Sequence, residues 1–441
     1  MFATQIFARY AAEFASQALP AEVMHHAKRA VVDWYASVYP GLTREPVRLL
    51  EEVLAEDLDR GSARLILGRA ATARAAAMIN GAAAHAAEVD DSFREAMYHP
   101  GAATISAALA AAQSTGCNGR EFLRAIVLGY EVSTRIGIAL GRGHYKYWHN
   151  TGTVGTFGAA SAAGYLLRLS ETQFAHALAT AATFAAGLQQ AFRMDSMSKP
   201  LHPGRAAEGG LLAAQLAGRG ITGSLDVLDG EAGLGVAMST GADWSQVGTT
   251  LGRDFHITRT TFKNHVGCGH SFPSIDGALE LQRLHGFHAD EIESLRIGTY
   301  KPALDVACYA RPATVNEAQF SIPFVVATAL LHGSVRMAAY EPQRLQDPVT
   351  RALLERIHVA VDPELDAGFP GRRSARVEIV LRDGRRLVHL QPNRKGDPEL
   401  PLTDADLEGK LVEFAAPVIG ADAARALAAR LWTLDTSETL P

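Results

Sequence analysis

The run GTVGTFGAASAAG, from Gly152 to Gly164, decides how the rest of the chain is read. Its alanines favour helix, and its small residues fall on more than one helical face. Each glycine in a helix costs about 1 kcal/mol relative to alanine, so the segment pays that cost only where other helices approach closely. A helix buried among helices is the expectation. Outward from it, residues 21–38, 71–88, 101–113, 119–140, 151–168, 171–191 and 204–218 all carry apolar residues at helical spacing. Ser170 and Gln173 form an S-x-x-Q capping box ahead of one such run. Sustained strand-like alternation is scarce up to about residue 265.

Beyond residue 265 the pattern changes. IESLRIGTY (292–300) alternates as a strand does, and SARVEIVLRDGRRLVHLQP (374–392) reads as two strands joined by Asp383-Gly384, a strong hairpin signal. Helical patterns lie at 271–285, 316–332 and 346–358, and helix returns at 404–419 and 421–432. The fold class is therefore mainly α: a large all-helical domain over residues 1–265 plus 400–441, interrupted by an inserted α+β domain over residues 266–399.

Composition narrows the function. The 441 residues carry 42 basic and 47 acidic side chains, a net charge of −5, and 48% are hydrophobic. That balance excludes disorder and disfavours nucleic-acid binding, which needs a basic face. Cys117, Cys268 and Cys308 are too few for a disulfide framework and contain no zinc-type C-x-x-C pair. No apolar run is long enough to span a membrane, and the N-terminus lacks the pattern of a signal peptide, so the expected location is cytoplasmic. Phosphate-loop, nucleophile-elbow, H-E-x-x-H and dinucleotide signatures are missing.

Four polar clusters remain, each at an element junction. HAAEVDDSFREAMYHPGA holds His85, Glu88, Asp90, Asp91, Ser92 and His99, dense enough for acid–base work or a metal, although a solvated loop with a capping aspartate fits too. GHYKYWHNTGTVG holds His144, Tyr145, Lys146, Tyr147 and His149 before the small-residue helix, where the helix N-terminus attracts anions. SKPLHPGRAAEGG places Lys199, His202 and Arg205 at one helix entrance, a plausible carboxylate site. FKNHVGCGHSFPSIDGAL carries His265, Cys268 and His270 at the inferred domain boundary.

Taken together and in this order, VDDSF…HPGA, HNTGTVGTFGAA, SKPLHPGRAAEGG, TFKNHVGCGH, NEAQFSIPF and GDPELPLTDADL resemble the MmgE/PrpD family over nearly the whole chain. That family includes 2-methylcitrate dehydratase, cis-aconitate decarboxylase and iminodisuccinate epimerase. The resemblance implies a helical domain with an inserted α+β lid, a homodimer, and a site between domains. Pocket positions would fall on Asp91 with Glu88 and Ser92, and on His99, His149, Lys199 and His270. Glu88 and Ser92 stand where the family often has aspartate and threonine. Phe324 stands where the decarboxylase branch uses a tyrosine, so its hydroxyl is missing; Tyr145 or Tyr147 beside His149 would be a phenol for the epimerase branch. The implied activity is a cofactor-independent lyase, dehydratase-like, on a small di- or tricarboxylate, with no metal. An isomerase or epimerase by the same proton abstraction is the alternative, and a non-catalytic carboxylate-binding helical protein the second. In this scheme Lys199, Arg205 and His149 hold carboxylates, with His202 beside them. His270 or Lys199 moves the proton, His99 protonates a leaving hydroxyl, and Asp91 orients a histidine.

Overall fold

Alanine-rich segments with small residues at their crossings build most of the protein. The computed structural model describes residues 1–192, 196–307 and 309–441. Cys308 lies outside the described residues, while Cys117 and Cys268 are buried. Contacts between residues divide the chain into two compact units, Met1–Phe262 with Thr403–Pro441, and Lys263–Leu402.

The first unit runs α1 (Ala3–Phe14), α2 (Ala21–Leu42), α3 (Glu45–Val53), β1 (Leu58–Arg64), β2 (Ala70–Ala71), α4 (Ala73–Ala86), α5 (Pro100–Thr115), α6 (Gly119–Tyr145), α7 (Asn150–Leu166), α8 (Glu171–Phe184), α9 (Leu201–Gly218) and a short α10 (Leu234–Met238). Its centre is α7, buried on every face from Asn150 to Gly164 and packed against α5, α6, α8 and α9. Close approach explains the glycines: a Cβ on Gly158 would strike the Thr104 hydroxyl of α5, and one on Gly210 of α9 would meet the α7 backbone. The Ser170–Gln173 capping box opens α8 as the sequence indicates. Regular helix in α6 breaks at Gly141 (φ 63°), one residue past the expected end. The small antiparallel β1–β2 pair was not anticipated, because β1 is mostly exposed and has no period-two apolar pattern.

The second unit contains α11 (Phe272–His285), β3 (Ile292–Thr299), α12 (Lys301–Val306), α13 (Val315–Gln319), α14 (Ile322–His332), α15 (Pro342–Leu345), α16 (Pro348–Leu354), β4 (Ile357–Val361), α17 (Pro363–Ala367), β5 (Ala375–Leu381) and β6 (Arg386–Gln391). Its four-stranded sheet has the order β4-β3-β5-β6, with β3 parallel to β4 and antiparallel to β5. The Asp383-Gly384 hairpin joins β5 to β6, and Gly384 takes φ 88°. Two expected helices are shorter than the pattern suggested. The one over 316–332 breaks between Gln319 and Ile322, where Ser321 caps the Phe324 amide and Pro323 lacks an N–H to continue the ladder. The one over 346–358 stops at Leu354, and β4 begins at Ile357.

The chain then returns to the first unit in α18 (Asp404–Ile419), which packs on α2, and α19 (Ala421–Trp432). The whole is mainly α. No helix among the described residues is long and apolar enough to cross a membrane.

Candidate active site

The loop between α4 and α5 carries the first polar cluster, and its backbone is tightly fixed. Ser92 and Thr261 exchange two backbone hydrogen bonds of 2.8 Å, and Phe93 pairs with Tyr98. Glu88 sits at φ +57°, an unfavourable conformation for a residue with a Cβ. Such strain persists where surrounding structure enforces it, commonly at functional sites. Here it accompanies an ion pair between Glu88 and Lys199, the residue at the entrance to α9.

Four imidazoles surround that pair. The His85 ring lies 4.9 Å from that of His99 and 5.5 Å from that of His149, and His149 lies 5.2 Å from His202. Hydrogen-bond chemistry fixes the protons of two of them, His85 and His99. His85 Nδ1 is 2.7 Å from Asp90 Oδ2, and His99 Nδ1 is 2.5 Å from the Asp91 carbonyl oxygen and 3.5 Å from Asp90 Oδ2. Carbonyl and carboxylate oxygens only accept, so each Nδ1 is the donor, and in the neutral rings Nε2 carries the lone pair. His149 Nδ1 and His202 Nδ1 are 2.9 Å apart, so one donates to the other. Burial holds His149 well below the usual imidazole range and, with the nearby positive groups, brings His202 down to about 4. Both are neutral at physiological pH, which makes His149 a neutral hydrogen-bonding group here rather than the cation expected from sequence.

Asp91 has a different task from the one expected. Its carboxyl turns away from the histidines, accepting from Tyr130 Oη at 2.7 Å and from the Gly101 amide at 3.0 Å. Burial, reinforced by the charge of Asp33, pushes its pKa up to about 8. Asp91 reaches a histidine only through its backbone carbonyl; the side chain that orients His85 is that of Asp90. His85 and Asp90 belonged to the sequence cluster, but nothing in the sequence separated Asp90 from its neighbour.

Of the other expected residues, Ser92 is held in the loop by its backbone. Arg205 pairs with Glu208 one turn along α9, and its side chain is 51% exposed, which is not the arrangement of a carboxylate clamp. Tyr145 is half-buried at the end of α6, and Tyr147 is exposed. His270 lies in the second unit, its Nδ1 2.9 Å from the Tyr300 hydroxyl and its ring near Phe369. Buried Lys263 and Tyr300, at either end of the same unit's first segment, were not singled out by sequence. Phe324 is fully buried in α14, its ring 6.2 Å from Tyr340. For a metal, His85, Asp90 and His99 offer ligand atoms within 4.8 Å of one another. The hydrogen bond from His85 to Asp90 uses His85 Nδ1 and Asp90 Oδ2, so the His85 Nε2 lone pair is not taken up by it.

The site thus joins a lysine–glutamate pair to four imidazoles, one of them backed by a carboxylate, residue types suited to acid–base chemistry. The chain belongs to the MmgE/PrpD family: the family's N-terminal domain matches residues 5–247 and its C-terminal domain residues 265–435. The latter match runs through α18 and α19, which pack with the first unit. Among curated relatives, the cis-aconitate decarboxylase-like protein oryM of Aspergillus oryzae is 28% identical over 95% of this chain and 92% of its own. The cis-aconitate decarboxylases of Mus musculus and Homo sapiens are each 28% identical, covering 80% and 83% of this chain and 74% of their own.

Proposed function

We propose that this protein is a cofactor-independent lyase that removes a proton next to a carboxylate of a small di- or tricarboxylate and eliminates water, in the manner of a 2-methylcitrate dehydratase. The observation that carries this reading is His99: Nδ1 is held on acceptor oxygens, Nε2 bears the lone pair, and the side chain keeps 20% exposure. His99 would take the proton at Nε2, and its imidazolium would face the Asp90 carboxylate. Lys199 would steady the carboxylate oxygens as negative charge builds on them, and whichever of the neutral His149 and His202 accepts at Nδ1 would donate its Nε2–H as a further hydrogen bond. After deprotonation the same imidazolium can protonate the departing β-hydroxyl. A positioned acid–base group is worth about 10²–10⁴-fold.

The names of the relatives favour a second reading, decarboxylation of cis-aconitate. Phe324 offers no hydroxyl for that branch. Epimerisation of a dicarboxylate such as iminodisuccinate needs a second proton carrier on the opposite face, and a merely carboxylate-binding protein needs none. One experiment separates all four: incubation with 2-methylcitrate, cis-aconitate and iminodisuccinate in D₂O, followed by NMR. Alkene formation with loss of water supports the dehydratase, carbon dioxide release the decarboxylase, inversion with deuterium uptake the epimerase. Absence of product and of exchange with all three would overturn the catalytic reading. A homodimer in the cytoplasm goes with the proposal, and sedimentation analysis tests the dimer.

A further inference from the structure

Lys410 projects from α18 into the interior of the first unit, where its side chain is 2% exposed. Its ammonium donates to Asp33 Oδ1 of α2 at 2.6 Å and to the backbone carbonyl of Val89 at 2.7 Å. Neutralising buried Asp33 requires only the first bond. The second falls on the peptide between Glu88, which pairs with Lys199, and Asp90, which orients His85. Glu88, immediately before it, is the residue held at φ +57°. A carbonyl inside a protein needs a donor, and here the donor comes from a helix 321 residues away.

We infer that Lys410 is a positioning residue for the candidate active site: by gripping the Val89 carbonyl it fixes the strained backbone that sets Glu88 against Lys199 and Asp90 against His85. The inference rests on reading the 87–99 loop as catalytic. Displacement of a catalytic group by about 1 Å costs on the order of 100-fold in rate, so a loosened loop would be conspicuous.

The alternative is that Lys410 serves only as the counter-ion of Asp33. Lys410→Met strands Asp33 and can misfold, so Asp33→Asn/Lys410→Met, which removes both charges, carries the comparison, with Lys410→Arg as the conservative control. Hydrogen exchange is followed by mass spectrometry on peptides covering 86–99 and, as a reference, 119–145. The expected result is that the double variant melts near wild type and keeps 119–145 protected, yet exchanges faster over 86–99. Lys410→Arg should retain protection. On whichever of the three acids the wild type turns over, kcat of the double variant should fall roughly 100-fold, with KM changed far less. Wild-type exchange over 86–99 in the double variant would overturn the inference. Loss of protection over 119–145 as well would also overturn it, since Lys410 would then support the whole unit. If the wild type turns over none of the acids, the catalytic reading fails, while the exchange comparison still decides what Lys410 does.

Discussion

His99 and Lys199 divide the work in a way that substitutions can separate. Asparagine at position 99 can keep a donor where Nδ1 stands, toward the Asp91 carbonyl, but has no basic nitrogen. His99→Asn should therefore lower turnover by about 10²–10⁴-fold while substrate binding changes little, as steady-state kinetics would show. Lys199→Ala removes the cation that pairs with Glu88 and should cut turnover by roughly 100-fold or more in a protein whose circular dichroism is unchanged. Near-normal activity in that variant would remove Lys199 from the mechanism. Dialysis against EDTA should leave activity intact; inhibition reversed by a divalent ion would turn His85, Asp90 and His99 into a metal site. The sequence made the residue types of this cluster legible and left their roles open. Asp90 and Asp91 are adjacent and chemically identical, and only burial and partner geometry send one to His85 and the other to Tyr130. Arg205 looked like part of the same entrance because it follows His202 closely, but Glu208, one helical turn on, claims it.

At the level of elements, the α7–α9 crossing depends on absent side chains. A Cβ on Gly210 would lie 2.5 Å from Ala159 Cβ and 2.5 Å from the Thr156 carbonyl oxygen, both on α7. Gly210→Ala gains about 1 kcal/mol of helix propensity, but overpacking against backbone costs about 1–3 kcal/mol or more, so a net destabilisation is expected in urea unfolding. An unchanged or raised midpoint would mean that the two helices separate easily. These crossings were readable from sequence because a helix rich in glycine on several faces has no other stable use. Helix ends were readable where a side chain marks them, as Ser170 does for α8. β4 was hidden because IHVAV directly follows a helical run and only pairing with β3 makes it a strand. β1 was hidden because its exposed residues leave no alternation to see.

Across the whole molecule, buried titratable groups set an optimum in stability. Folding raises Asp91 to about 8 and Glu131 to about 7, each chiefly through burial. Their protons, retained when folded, are released by the unfolded chain above about pH 4, so stability falls as pH rises through 7 and 8. Burial lowers His144 to about 4, His202 to about 4 and His256 to about 2, and holds His149 well below normal. These rings refuse protons that the unfolded chain binds below about pH 6.5, so stability also falls on the acid side. The melting temperature should peak near about pH 6.5, and Asp91→Asn should flatten the alkaline limb. A monotonic profile from pH 5 to pH 9 would contradict this assignment. The bond from Lys410 to Asp33 also has a bearing on biosynthesis. It joins residues 377 positions apart, and a ribosome adding about 5–20 residues per second needs roughly 20–75 s to travel that distance. For that interval Asp33 has been made and Lys410 has not, so this bond between α2 and α18 can close only after nearly everything else has been translated.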